Sequence, residues 1–188
     1  MSVIVLIGCH GAGKTSLGEA LARRLGLPFD DEIGRRLASD AALRPPGQTA
    51  AHSQAPFDQA VFEAELARDL ERRDRPRVIE TWHPGNLAYA AARSPAVAAR
   101  WLAAVRQTCR RDATVVVPVR APMAVLQRRQ SEPGDVRFFI AVALAAERWA
   151  AFLGLPVLPP VWTHRARPAE LADEVGAALA RRVTATPR

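Results

Sequence analysis

The sequence predicts an α/β fold: a five-stranded parallel sheet with helices on both faces. Three observations point there. A short apolar, β-branched run ends in a glycine-rich loop that opens a helix. Strand-like and helix-like runs then alternate to the end of the chain. Finally, the single lysine of the sequence, Lys14, lies in that first loop, while every other basic residue is an arginine.

Each element follows from local pattern. Ser2 to Ile7 is the first strand, its continuous apolar run fitting a strand buried on both faces. Leu17, Ala20, Leu21 and Leu25 fall at helical spacing, and Gly26 with Pro28 ends that helix. Leu27 to Phe29 is a short second strand running into Asp30, Asp31 and Glu32. A helix is expected from Ile33 to Asp40, a loop from Ala41 to Pro56 on its proline and glycine content, and a helix from Phe57 to about Arg73. The third strand is Arg77 to Thr81, followed by a turn over Trp82 to Asn86. Alanine-rich helices run to about Arg110 with a break near Ser94 and Pro95. Thr114 to Val119 is the fourth strand, and Pro122 starts a helix that stops near Ser131 to Gly134. Val136 to Leu153 is helical, Leu155 to Leu158 is the fifth strand, and the last helix runs from Pro168 to about Arg182. The length fits one domain over residues 1–188, with a lid near residues 128–137.

The loop carries the chemistry. Gly8 to Thr15 reads G-C-H-G-A-G-K-T, a full match to the phosphate-binding pattern G-x-x-x-x-G-K-[ST]. Gly8, Gly11, Ala12 and Gly13 let backbone N–H groups turn inward on phosphate oxygens, and the helix N-terminus adds its positive end. Lys14 supplies a compact charge near the β- and γ-phosphates, a place a planar guanidinium fits poorly. The Thr15 hydroxyl would reach Mg²⁺, and Ser16 the α-phosphate. The nucleotide and metal expected are ATP and Mg²⁺.

Phosphoryl transfer also needs a metal holder and a group that orients the nucleophile, and open parallel sheets place both at the carboxyl ends of strands. Glu80 ends the third strand and is expected to support the metal with Thr15. Asp30, Asp31 and Glu32 follow the second strand, and Asp31 or Glu32 would orient the acceptor hydroxyl. Consecutive residues cannot all face one pocket. Arg128 would help neutralise the γ-phosphoryl from the lid. Trp82, His83 and Tyr89 could line a pocket for a planar acceptor or belong to the core.

Composition sets the outer limits. Apolar residues at 49% and charged residues at 24% are ordinary for a globular chain. No run reaches the ~18–20 apolar residues of a membrane span. The N-terminus lacks a basic segment followed by an apolar region and cleavage site, so a cytoplasmic protein is expected. The net charge of +7 is spread along the chain, with no run of more than two arginines, which argues against a nucleic-acid partner. The four histidines and two cysteines show no metal-ligand spacing.

The opening segment, I-G-C-H-G-A-G-K-T-S-L-G-E-A-L-A-R-R-L-G-L-P-F, resembles P-loop small-molecule kinases such as shikimate and adenylate kinases. Glu32-x-x-Arg35, with E-T-W-H-P-G-N-L-A-Y from Glu80 to Tyr89, is more similar to the nicotinamide-riboside-kinase-like branch. There an aspartate–arginine pair follows the third strand; here Glu80, Thr81 and Trp82 stand in that place. The resemblance implies the P-loop NTPase fold and an ATP-dependent kinase of a nucleoside, nucleotide or sugar-like metabolite. The expected partners are ATP and that acceptor, without membrane or nucleic acid, and with a homodimer as an alternative to the monomer. A non-enzymatic ATP-binding regulatory or interaction module is the rival reading.

Overall fold

The computed structural model describes residues 3–38, 55–72, 75–109, 113–129 and 136–185. Thirteen elements lie among them: β1 (Val3–Ile7), α1 (Lys14–Leu25), β2 (Phe29–Asp30), α2 (Ile33–Leu37), α3 (Ala55–Glu71), β3 (Arg77–Glu80), α4 (Trp82–Arg93), α5 (Pro95–Thr108), β4 (Thr114–Arg120), α6 (Met123–Arg129), α7 (Val136–Phe152), β5 (Val161–Trp162) and α8 (Pro168–Ala185). The five strands form one parallel sheet in the order β2-β3-β1-β4-β5.

β1 lies at the centre because both its faces are apolar. Val3, Val5 and Ile7 join Ile79 and Val116 in a core covered by α4, α5 and α7. Ile4 and Leu6 join Val78, Val115 and Val117 in the opposite core, covered by α1 and α8. This period-two division of one strand between two cores is the signature of a sheet layered between helices. The register sets Leu6 beside Glu80, so the carboxyl end of β3 meets the loop that leaves β1.

Several boundaries differ from the sequence expectation. β2 is Phe29–Asp30 rather than Leu27–Phe29, so Asp30 ends the strand instead of following it, and α2 stops at Leu37 with Ala38 as its cap. The Leu155–Leu158 segment makes only a bridge to β4, through Val116 N–H to the Pro156 carbonyl (2.8 Å) and Leu158 N–H to the Val116 carbonyl (2.9 Å). Pro159 and Pro160 then interrupt the ladder because neither has an N–H to donate. Pairing resumes at Val161–Trp162, which is β5. The expected turn over Trp82–Asn86 is instead the start of α4, with Pro84 within its first turn, where a missing N–H costs little. α3 starts at Ala55, with Pro56 inside its first turn in the same way. The Ala41–Pro56 loop up to residue 54, the Ser131–Gly134 turn, and Asp40, Arg73 and Arg110 lie outside the described residues.

Candidate active site

The phosphate loop runs from β1 to α1. Gly13 caps α1 in the left-handed region (φ 90°), a conformation that costs glycine nothing. Ala12 is fully buried, its N–H closing a turn onto the Cys9 carbonyl at 3.1 Å. From the other side the Thr163 hydroxyl donates to the Ala12 carbonyl at 2.6 Å, tying the loop to the segment after β5. Burial pushes the Cys9 thiol up to about 11, against the pull of the Lys14 charge.

Lys14 is buried and folds back over the loop, its Nζ donating to the carbonyls of Gly8 (2.9 Å) and Cys9 (3.2 Å). It also lies 3.6 Å from Glu80 Oε1. Glu80 is 1% exposed, so its charge requires partners. It has three. The Thr15 hydroxyl donates to Oε2 at 3.0 Å, and Arg35 donates to Oε1 at 2.9 Å while also donating to Thr15 Oγ1 at 3.1 Å. Lys14, Thr15, Glu80 and Arg35 therefore form one knot at the carboxyl end of the sheet.

The three acids at the end of β2 separate. Asp30 is buried and structural, held by Arg72 and by Arg77 Nε at 3.3 Å. Asp31 turns outward to Arg36 at 3.5 Å, and only its backbone carbonyl faces inward, accepting from Arg68 at 2.9 Å. Glu32 turns inward. Its Oε2 is buried and makes no hydrogen bond to a described residue. Burial raises its carboxyl, but His10, Lys14 and Arg35 outweigh that and hold it below the usual carboxylate range.

A cleft of about 600 Å³ opens over the loop, lined by Lys14, Thr15, Ser16, Arg35, Glu80 and Arg129 among others. Arg128, expected in this place, is exposed and does not line the cleft; its neighbour Arg129 does, 3.3 Å from the Gly11 carbonyl. One helical residue rotates a side chain by ~100°, enough to exchange the two. A second cavity of about 10 Å³ lies behind Lys14, bounded by Glu32, Tyr89 and Phe139. It has room for about one water. Tyr89 is held well above its ordinary pKa, chiefly by burial, and stays neutral. Trp82 and His83 do not line either space: both are buried and bound to Asp69, at 2.9 and 2.7 Å. Arg77 joins them on Asp69 at 2.6 Å. This carboxylate on α3 thus clamps the turn that follows Glu80.

That turn is strained. Thr81 has φ 74° and ψ −68°, near the compact γ-turn, and Trp82 follows with φ 52°. A Cβ on Gly85 would meet Thr81 Cγ2 at 2.4 Å, so only glycine lets the helix start beneath this threonine.

Arg35, Thr163 and His10 were not among the site residues expected from sequence, and Arg129 was expected only as a lesser companion of Arg128 in the lid. Arg35 had a signal: Glu32-x-x-Arg35 is an i,i+3 pair that helical geometry places on one face. Thr163 had none, because only the end of the fifth strand brings it to the loop.

The sheet, the glycine loop and the acid at the end of β3 define a P-loop protein of the kinase fold. The chain belongs to the AAA domain family AAA_28, whose model matches residues 3–172. It is 39% identical over 80 residues to a shikimate kinase of Ruegeria pomeroyi, a match covering 41% of this chain and 34% of that protein. The chain thus spans about a third of the length of that curated relative. Among solved structures it is similar to deoxyadenosine kinase from M. mycoides (TM-score 0.68, 11% identity, 95% of this chain and 99% of that one). Shikimate kinase from Aquifex aeolicus superposes with TM-score 0.57 at 18% identity, covering 98% of this chain and 99% of that one.

Proposed function

We propose that the chain is an ATP-dependent kinase that phosphorylates a hydroxyl of a small metabolite. One observation carries the reading: a phosphate-gripping end, Lys14 with Thr15 and Glu80, and a buried carboxylate oxygen on Glu32 without a hydrogen-bond partner among the described residues, flank the same lysine. An orphaned buried acceptor is costly unless something donates to it. The cavity beside Glu32 holds about one water as it stands, so an acceptor hydroxyl would take that place only if the cavity widens toward the cleft.

The roles follow. Backbone N–H groups from Gly11 to Thr15 and the Lys14 ammonium hold the phosphates, with Ser16 at the α-phosphate. Thr15 and Glu80 are hard oxygen donors 3.0 Å apart and fit Mg²⁺. No cluster of three or more His, Cys, Asp or Glu side chains able to hold a metal lies among the described residues, which suits an ion that takes its other ligands from phosphates and water. Mg²⁺, when bound, would neutralise charge on the transferred group. Glu32, ionised at neutral pH, orients the acceptor hydroxyl and receives its proton. The new O–P bond forms as the bond to the ADP leaving oxygen breaks. Because such transition states are loose, positioning by Glu32 matters more than its strength as a base. Arg129 lies where it can counter charge on the phosphates.

Shikimate kinase as a relative and nucleoside kinases as fold neighbours support an acceptor that is a hydroxylated ring or a nucleoside. A cytoplasmic site fits the ATP supply and the buried free thiol of Cys9. No helix among the described residues is long and apolar enough to cross a membrane. The test is ADP release from ATP and Mg²⁺ across a panel of cyclitols, nucleosides, nucleotides and sugars. An acceptor that drives stoichiometric ADP formation and gains phosphate supports the reading. ATP binding with no transfer to any of them would replace it with a regulatory module.

A further inference from the structure

Arg35 sits on the two side chains assigned to the metal. Its Nη2 lies 3.1 Å from Thr15 Oγ1, 2.9 Å from Glu80 Oε1 and 3.8 Å from Glu32 Oε2. The Thr15 hydroxyl already spends its proton on Glu80 Oε2, so it has only lone pairs to offer a metal, and Arg35 takes one of the two. Glu80 Oε1 is shared between Arg35 and the Lys14 ammonium at 3.6 Å. One guanidinium nitrogen therefore caps both Thr15 Oγ1 and Glu80 Oε1, the two oxygens a shared metal would use.

We propose that the Arg35 guanidinium and Mg²⁺ compete for Thr15 Oγ1 and Glu80 Oε1, so that loading the metal nucleotide requires Arg35 to leave. The inference rests on the reading that Thr15 and Glu80 hold Mg²⁺. A metal bound at ~2.0–2.1 Å from these oxygens would crowd a second positive centre against the guanidinium, with one carboxylate shared between the two. The exchange is feasible because the partners differ in burial. Glu80 is 1% exposed and cannot be left without a cation. Arg35 is 50% exposed and stands on a helix of five residues, so its departure leaves its charge in water. The arginine thus keeps the buried carboxylate compensated until metal and phosphates arrive, and it lines the cleft into which it would be released.

The experiment is calorimetric titration of Mn²⁺ into ADP-saturated protein, comparing wild type with Arg35→Met, Arg35→Gln, Thr15→Ala and Glu80→Gln, each checked for native circular dichroism. If the closed state outnumbers the open one by about ten to one, removing the guanidinium tightens Mn²⁺ about ten-fold. Both Arg35 variants should show that gain, while Thr15→Ala and Glu80→Gln weaken binding. Unchanged or weaker Mn²⁺ binding in both Arg35 variants, with Thr15 and Glu80 still needed, overturns the competition and leaves the metal reading standing. Mn²⁺ affinity indifferent to Thr15 and Glu80 overturns the metal reading, and the competition falls with it. As an independent readout, the Arg35 Nε–Hε NMR signal of wild type should move when Mg²⁺ is added to the ADP complex and hold still for ADP alone.

Discussion

At the scale of single residues, charge compensation decides what each substitution does. Lys14 is the ammonium beside Glu80, so its loss removes a counter-ion and, on the proposed function, a phosphate donor. Lys14→Ala should lower transfer by at least ~10²–10³-fold, the cost of one preorganised donor. Lys14→Arg should also be impaired, because the space between the Gly8 and Cys9 carbonyls suits a point charge. Full turnover of either with a verified acceptor would remove the phosphate loop from the mechanism. Glu32 gives a pH dependence with a definite sign. Its folded carboxyl is depressed, so it remains ionised, and the stability it adds remains present, above the ordinary range. Both are lost only as pH falls through that depressed value. Glu32→Gln should cut single-turnover transfer by roughly 10²–10⁴-fold while ATP still binds. Near-normal rates in this variant would move the orienting role elsewhere.

The element that matters most is the link from β3 into α4. Thr81 and Trp82 hold positive φ values that cost on the order of 1–3 kcal/mol each. Asp69 offsets that cost from α3 by accepting from Arg77, Trp82 and His83 at once. Burial works against this carboxylate, yet those partners hold it below its usual range, so its stabilisation is lost as pH falls below that range. Asp69→Asn should destabilise the fold by about 3–5 kcal/mol, as expected when one partner of a buried ionic cluster is neutralised. Urea unfolding measures this, and the variant should lose part of the acid sensitivity of wild type. Gly85→Ala should likewise destabilise, because its Cβ has no room beside Thr81 Cγ2. Adding Thr81→Gly should rescue Gly85→Ala, since it deletes both the clash and the strain. Failure of that rescue would show that the clash lies elsewhere.

This element also shows what sequence alone can carry. The phosphate loop was legible because its strand, turn and helix are contiguous and its glycines have local reasons. The sheet was legible because parallel strands are continuous apolar runs. The strained entry to α4 was not: Trp82 to Asn86, with Pro84 and Gly85, has turn composition, and only the tertiary clamp from Asp69 makes it helical. The fifth strand was displaced for a related reason. Leu155–Leu158 has the right apolar pattern, but the prolines after it decide where the ladder can close. Arg35 meets Glu80 across 45 residues, and no local pattern reports such a distance.

For the whole molecule, two apolar cores and a parallel sheet carry the cleft, which exists only in the folded chain, so a nucleotide held there would stabilise the fold. Mg²⁺ with ATP at about 100 times the dissociation constant should raise stability by ~2.7 kcal/mol. A thermal melt reads this, and the gain should vanish in Lys14→Ala. The arginine-rich composition has a practical consequence as well. With 26 basic residues and one of them a lysine, the molecule carries a single side-chain amine, and that amine is buried against the loop carbonyls. Acylating reagents selective for amines therefore have one internal target, apart from the α-amine, and it is the phosphate site itself. Counting labels by intact mass would then follow nucleotide occupancy: beyond the label on the α-amine, a slow second addition in the free protein and no second addition when ATP fills the cleft.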